Sequence, residues 1–99
     1  MNADLKTRSD DLELLLCVID AGGFSAAADV LDIQVARVSR AVSRIEKQLG
    51  VAILIRTTRR IELTDEGRQF VNTIRKALQA MQSAENDIIT RGELPAGKL

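Results

Sequence analysis

The chain has 99 residues, with 14 Lys plus Arg against 14 Asp plus Glu, 45% hydrophobic and 28% charged; this is the length and composition of one globular soluble domain. It has no His, Trp or Tyr and a single Cys, so it lacks the commonest general base, the commonest metal ligands and any internal disulfide, which argues against an enzyme, a metal domain or a secreted scaffold. No apolar run approaches the ~18 residues of a membrane span and the polar N-terminus is no signal peptide, so a cytoplasmic protein without cofactor, metal or membrane partner is expected.

The zero net charge conceals an uneven distribution. Residues 1–33 hold Lys6 and Arg8 against Asp4, Asp10, Asp11, Glu13, Asp20, Asp29 and Asp32. Residues 34–60 hold Arg37, Arg40, Arg44, Lys47, Arg56, Arg59 and Arg60 against Glu46 alone, and residues 61–99 are nearly balanced. Cations gathered in one segment suit a polyanion bound through that segment. A merely solvated face is the rival explanation, and the spacing of the bases has to decide.

The spacing predicts a first helix over Ser9–Ala21, capped by Ser9 or Asp10. Asp10 and Glu13 have capping-box separation, and Leu12, Leu15, Leu16 and Ile19 share one apolar face. Gly22-Gly23 stops it. Cys17 inside it is expected to be a buried structural thiol, because no base or metal-ligand partner accompanies it. A short second helix follows Phe24, with Ser25 as N-cap and Ala26, Ala27 and Ala28 small enough for close packing. Asp32, between Leu31 and Ile33, suits a left-handed residue ending that helix.

A third helix is predicted from about Val35 to Leu49, ending at Gly50. At 100° per residue, Val38, Val42, Ile45 and Leu49 fall in a narrow stripe. Arg40, Arg44 and Lys47 fall opposite, with Arg37 at the edge and Ser39 and Ser43 flanking them. A generic solvated helix mixes Glu with Lys, whereas here Glu46 is the single acid. Arg and Lys meet phosphates and guanine edges and Ser meets either, so this face suits a DNA groove.

After Gly50 the period changes. Val51–Ile55 is apolar, Arg56–Arg60 polar and Ile61–Leu63 alternating, which predicts two short strands around a basic tip. Arg59 and Arg60 at such a tip would suit a narrow minor groove. Thr64 then caps a long fourth helix, with Asp65 and Glu66 complementing its dipole, reaching about Arg91 before Gly92 and Pro95. Phe70, Ile74, Ala77, Met81, Ala84 and Ile88 recur at alternating intervals of four and three, a coiled-coil seam that Val71 and Leu78 widen. At 1.5 Å per residue this helix is ~40 Å long, so part of its seam must meet something outside the domain.

The stretch FSAAADVLDIQVARVSRAVSRIEKQLG has the form of a helix-turn-helix, with Ala27, Ala28, Leu31, Ile33 and Val38 where that motif needs packing contacts. Through GGFSAAADVL, VSRAVSRIEKQLGV and RTTRRIELTDEG, in register from about Leu12 to Arg91, the chain resembles the N-terminal DNA-binding region of the LysR-type transcriptional regulators. The resemblance implies a mainly α fold. Residues 1–63 would form a winged helix-turn-helix of three helices plus a β-hairpin wing. Residues 64–91 would form a dimerisation helix pairing antiparallel with a second subunit's, and residues 92–99 a hinge toward an effector-binding domain that this sequence does not contain.

The implied partners are double-stranded DNA, a second copy of the chain and a small-molecule effector taken only by that further domain, with higher oligomers in a full-length regulator. The dimer seam would use Phe70, Ile74, Ala77, Leu78, Met81, Ala84 and Ile88. By position, base reading falls on Val35, Ala36, Arg37, Ser39 and Arg40, with Ser43 and Arg44 behind them on the same face. Ser25 would hold a phosphate, and Arg56, Thr57, Arg59 and Arg60 would serve the wing.

The chain departs from the family's pattern at the start of the recognition helix. Gln34 stands where Ser or Thr is usual, a weak cap. Val35 and Ala36 stand where Gln or Pro is usual, leaving methyl groups suited to thymine. Ile55 stands where a polar residue usually precedes the wing Arg. A winged helix that has lost DNA and keeps only helical pairing is the alternative, and the basic face with one acid argues against it.

Overall fold

The computed structural model describes residues 5–56 and 60–93. Among them the element order is α1 (Ser9–Ala21), α2 (Phe24–Leu31), α3 (Val35–Leu49), β1 (Leu54–Arg56), β2 (Ile61–Leu63) and α4 (Asp65–Glu93). This is a mainly helical winged helix-turn-helix continued by a long helix, as the sequence predicts.

The start of α1 differs from expectation. Arg8, in extended conformation, is its N-cap and makes no side-chain cap hydrogen bond. Ser9 is already helical, and Asp10 and Asp11 lie in the first turn, where carboxylates favour the positive end of the helix dipole. The buried face also differs, comprising Asp11, Leu12, Leu15 and Val18, while Leu16, Cys17 and Ile19 are only half-buried. That arc lies about 60° around the helix from the expected one at 100° per residue. The run Leu14–Ile19 is apolar on every side, so periodicity leaves the azimuth open and the neighbouring helices select it.

Gly22 closes α1 in the left-handed region (φ 90°), its N–H bonding the Val18 carbonyl at 3.0 Å. The second helix begins two residues earlier than a Ser25 cap implies. Gly23 is its N-cap, and Ser25 is an exposed residue of the first turn that makes no cap bond. Ala27 and Ala28 are buried at the α1–α2–α3 junction, where a larger side chain would hold the helices apart. Asp32 takes the left-handed conformation (φ 56°, ψ 49°), and the next N–H, of Ile33, returns to the Ala28 carbonyl at 3.0 Å. This turn sets the angle at which α3 leaves.

Val38, Ala41, Val42 and Ile45 of α3 are fully buried. Val38, Val42 and Ile45 join Leu12, Leu15 and Val18 of α1, Ala27 and Ala28 of α2, and Ile53, Leu54 and Val71 in one core cluster. The hairpin is antiparallel with Leu54 opposite Leu63, Ile55 opposite Glu62 and Arg56 opposite Ile61. Its first strand begins at Leu54, later than the apolar run Val51–Ile55 suggests. The Ile53 N–H, a donor that a longer ladder would have used, goes to the Glu46 carboxylate at 2.8 Å, and the Leu54 N–H joins it there at 3.1 Å.

Thr64 does cap α4, its hydroxyl oxygen accepting the Gly67 N–H at 2.9 Å while the hydroxyl donates to the Ala52 carbonyl at 2.7 Å. The helix runs through Gly92 to Glu93, two residues past the expected end. Its first turns belong to the domain: Val71 is buried and Phe70 and Ile74 pack against the core. Arg75 on the next turn forks onto Asp20 of α1, with N–O distances of 2.5 and 3.3 Å. From Gln79 to Gly92 every residue is exposed. The heptad seam is therefore divided, Phe70 and Ile74 serving the chain's own core while Ala77, Met81, Ala84 and Ile88 face solvent.

Candidate nucleic-acid interface

The outward side of α3 presents Val35, Ala36, Arg37, Arg40, Ser43 and Lys47 exposed and Ser39 half-buried. Arg37, Arg40 and Lys47 form no ion pair among the described residues. Three cations, two short hydroxyls and two apolar side chains thus share one face of a helix whose opposite side is locked in the core. Gln34 precedes it with no side-chain cap bond, as its weak capping ability implies.

Two expected contact residues are engaged within the fold. The Arg44 guanidinium forks onto Asp11, Nε donating to Oδ2 and Nη2 to Oδ1, both at 2.8 Å. Asp11 is 2% exposed. The Arg44 hydrogen bonds hold its carboxyl below the usual carboxylate range against the opposing effect of burial, and Asp11 in turn raises the Arg44 pKa. Arg56 lies with its guanidinium carbon 4.9 Å from the centre of the Phe24 ring and Nη2 3.7 Å from Glu46 Oε1. The base of the wing is thereby tied to the first residue of α2 and to α3.

Arg60 is exposed beside Glu62, with Nε 3.8 Å from its carboxylate. Thr57 and Arg59 lie outside the described residues. Ser25, at the start of α2, is exposed.

Sequence reasoning missed four residues that position this face. Asp11, counted among the acids of residues 1–33, is the buried partner of Arg44. Glu46, taken as the one counter-charge on a basic face, anchors the strand entry. Phe24 is the platform under Arg56. Gly67 lies so close to the chain entering the wing that a Cβ there would fall 2.2 Å from the Ile53 carbonyl oxygen. Only the last carries a local signal, a glycine in the first turn of a helix that has no need of one.

The family model described as bacterial regulatory helix-turn-helix protein, lysR family, matches residues 9–68. The HTH-type transcriptional regulator CrgA of Neisseria meningitidis is 41% identical over 95 residues, covering 96% of this chain and 32% of that protein. The chain spans about a third or less of the length of the curated relatives it matches. Among solved structures it is similar to the CbnR DNA-binding domain in complex with DNA (TM-score 0.77, 28% identity, 87% of this chain and 99% of that one). It is likewise similar to the BenM DNA-binding domain on catB site 1 DNA (TM-score 0.80, 26% identity, 87% and 97%). With the helix-turn-helix, wing and long helix in the same order, this chain belongs to the lysR family of bacterial regulatory helix-turn-helix proteins.

Proposed function

We propose that this chain is the DNA-binding region of a bacterial transcriptional regulator, which acts by binding and not by catalysis. A homodimer reads a pseudo-palindromic operator, with α3 in the major groove and the wing on the backbone and minor groove. The observation that carries the reading is the outer face of α3, where Arg37, Arg40 and Lys47 stand without ion-pair partners among the described residues beside exposed Val35 and Ala36. Cations without protein partners are available to phosphates and guanine edges, and the two apolar side chains to thymine methyls.

In this reading residues 1–63 contact DNA, residues 64–91 pair with a second copy, and residues 92–99 lead toward an effector-binding domain outside this sequence. The exposed apolar row Met81, Ile88 and Ile89 supports the pairing, since it would otherwise stand in water on a helix of about 43 Å. Selection of bound duplexes from a random pool, followed by titration of the selected site, is the test. A two-fold symmetric consensus bound more tightly than random DNA is expected. Replacing contacted thymines by uracil should weaken binding by about 1 kcal/mol per methyl. No enrichment over random sequence, or an unchanged affinity on uracil substitution opposite Val35 and Ala36, would overturn the respective assignment.

A further inference from the structure

Arg44 lies one turn behind Arg40 and, on a helical wheel, inside the basic face. Its environment differs from that of Arg37, Arg40 and Lys47. Its Nε–Nη2 edge is occupied by the carboxylate of Asp11, through two hydrogen bonds of 2.8 Å each. Asp11 is 2% exposed and sits in the first turn of α1, where the helix dipole adds to its preference for the ionised form. An ionised carboxylate buried without its partner is strongly disfavoured, so the fork holds Arg44 against competition from a phosphate approached through water.

We propose that Arg44 is a positioning residue of the recognition helix, held by Asp11 away from the phosphates, and not a DNA ligand. The inference rests on the DNA-binding reading above and assigns the charge contacts of α3 to Arg37, Arg40 and Lys47. The pair joins the first turn of α1 to the third turn of α3 and so fixes the rotation of α3 about its own axis. Val35, Ala36, Arg37 and Arg40 project from that same helix. Rotating it misaligns base contacts, which need directed geometry, while the number of cations near phosphates is unchanged. The pair therefore bears on specificity and leaves the salt-dependent part of binding alone.

The double variant Asp11→Asn/Arg44→Gln tests this, because it replaces the ion pair by two neutral amides without altering net charge. Circular dichroism establishes that it folds. The expected result is an unchanged slope of log affinity against log salt, with the ratio of specific to non-specific affinity falling about tenfold. A slope shallower by about 0.9 per subunit, with the ratio retained, would show a lost phosphate contact and overturn the proposal.

Should the variant fail to fold, arginine Nε–H nuclear magnetic resonance of the wild-type chain decides. The Arg44 signal is expected to stay protected and unmoved on adding DNA while that of Arg40 shifts. An Arg44 shift matching that of Arg40 would overturn the inference. Wild-type protein with no salt-dependent affinity for any duplex counts against the DNA-binding reading instead, with Arg37 and Arg40 silent together with Arg44.

Discussion

Replacing Gly67 by Ala inserts a methyl where α4 passes the backbone that enters the wing. An ideal Cβ would lie 2.2 Å from the Ile53 carbonyl oxygen, 2.9 Å from its carbon and 3.0 Å from its Cα. All three are main-chain atoms, so no rotamer change relieves the contact. Restoring ordinary van der Waals separation moves the two segments apart by roughly 1 Å. The same oxygen accepts the Thr64 N–H at 3.0 Å, and the Thr64 hydroxyl joins Ala52 to Gly67. Overpacking costs ~1–3 kcal/mol and the displaced hydrogen bond ~1 kcal/mol, while the better helix propensity of Ala returns ~1 kcal/mol. The net destabilisation is about 2 kcal/mol, or ~8–16 °C in the thermal midpoint of a domain this size.

Thermal and urea unfolding of Gly67→Ala beside Gly92→Ala makes the comparison clean. Gly92 is in the same helix with open space around its Cβ, so there Ala should be neutral or stabilise by up to ~1 kcal/mol. If the two substitutions move stability in the same direction, the close approach of α4 to Ile53 is not what makes Gly67 necessary.

Three further outcomes are expected. Arg40→Ala should cost ~1–3 kcal/mol on the selected operator and relax preference at one base position; affinity within twofold of wild type would show that this face is not the one in the groove. Met81→Asp, at a residue 60% exposed within the chain, should leave the fold intact and give monomers by sedimentation with about half the wild-type salt slope; a folded dimer would remove the α4 seam from consideration. Finally, the Arg44 hydrogen bonds hold the Asp11 carboxyl below its ordinary 3.8, so their contribution to stability is in place above that value and lost as pH falls through the lower folded-state one. Urea midpoints between about pH 5 and pH 2 should fall more steeply for wild type than for Asp11→Asn, and parallel curves would contradict the linkage.

Elements bounded by backbone preference were legible in the residues themselves. The span Val35–Leu49, the left-handed Asp32, the stop at Gly50 and the Thr64 cap all agree with the sequence. Each depends on atoms within a turn or two along the chain. The amphipathic split of α3 was legible for the same reason, since a strict period of buried Val38, Val42 and Ile45 leaves one orientation. The caps of α1 and α2 were misplaced by one or two residues because Ser9, Asp10 and Ser25 are all competent caps by type, and the backbone geometry of Arg8 and Gly23 decided.

The sequence alone thus determined the order of elements, the basic face and the family, all properties of neighbours in the chain or of one helix's periodicity. Only the tertiary structure decided which cations on that face remain available. Arg44 is indistinguishable by type and spacing from Arg40, yet Asp11, 33 residues away, holds it, and on the wing Phe24 with Glu46 engages Arg56. It also decided that α1 turns Asp11 and Val18 inward instead of Leu16 and Ile19, and that the heptad row of α4 is split between Ile74 in the core and Met81 in solvent. A helix with apolar residues all around, or an apolar row longer than its domain, has no orientation of its own. Which side is buried depends on the surfaces that pack against it, and these are supplied by residues remote in the chain.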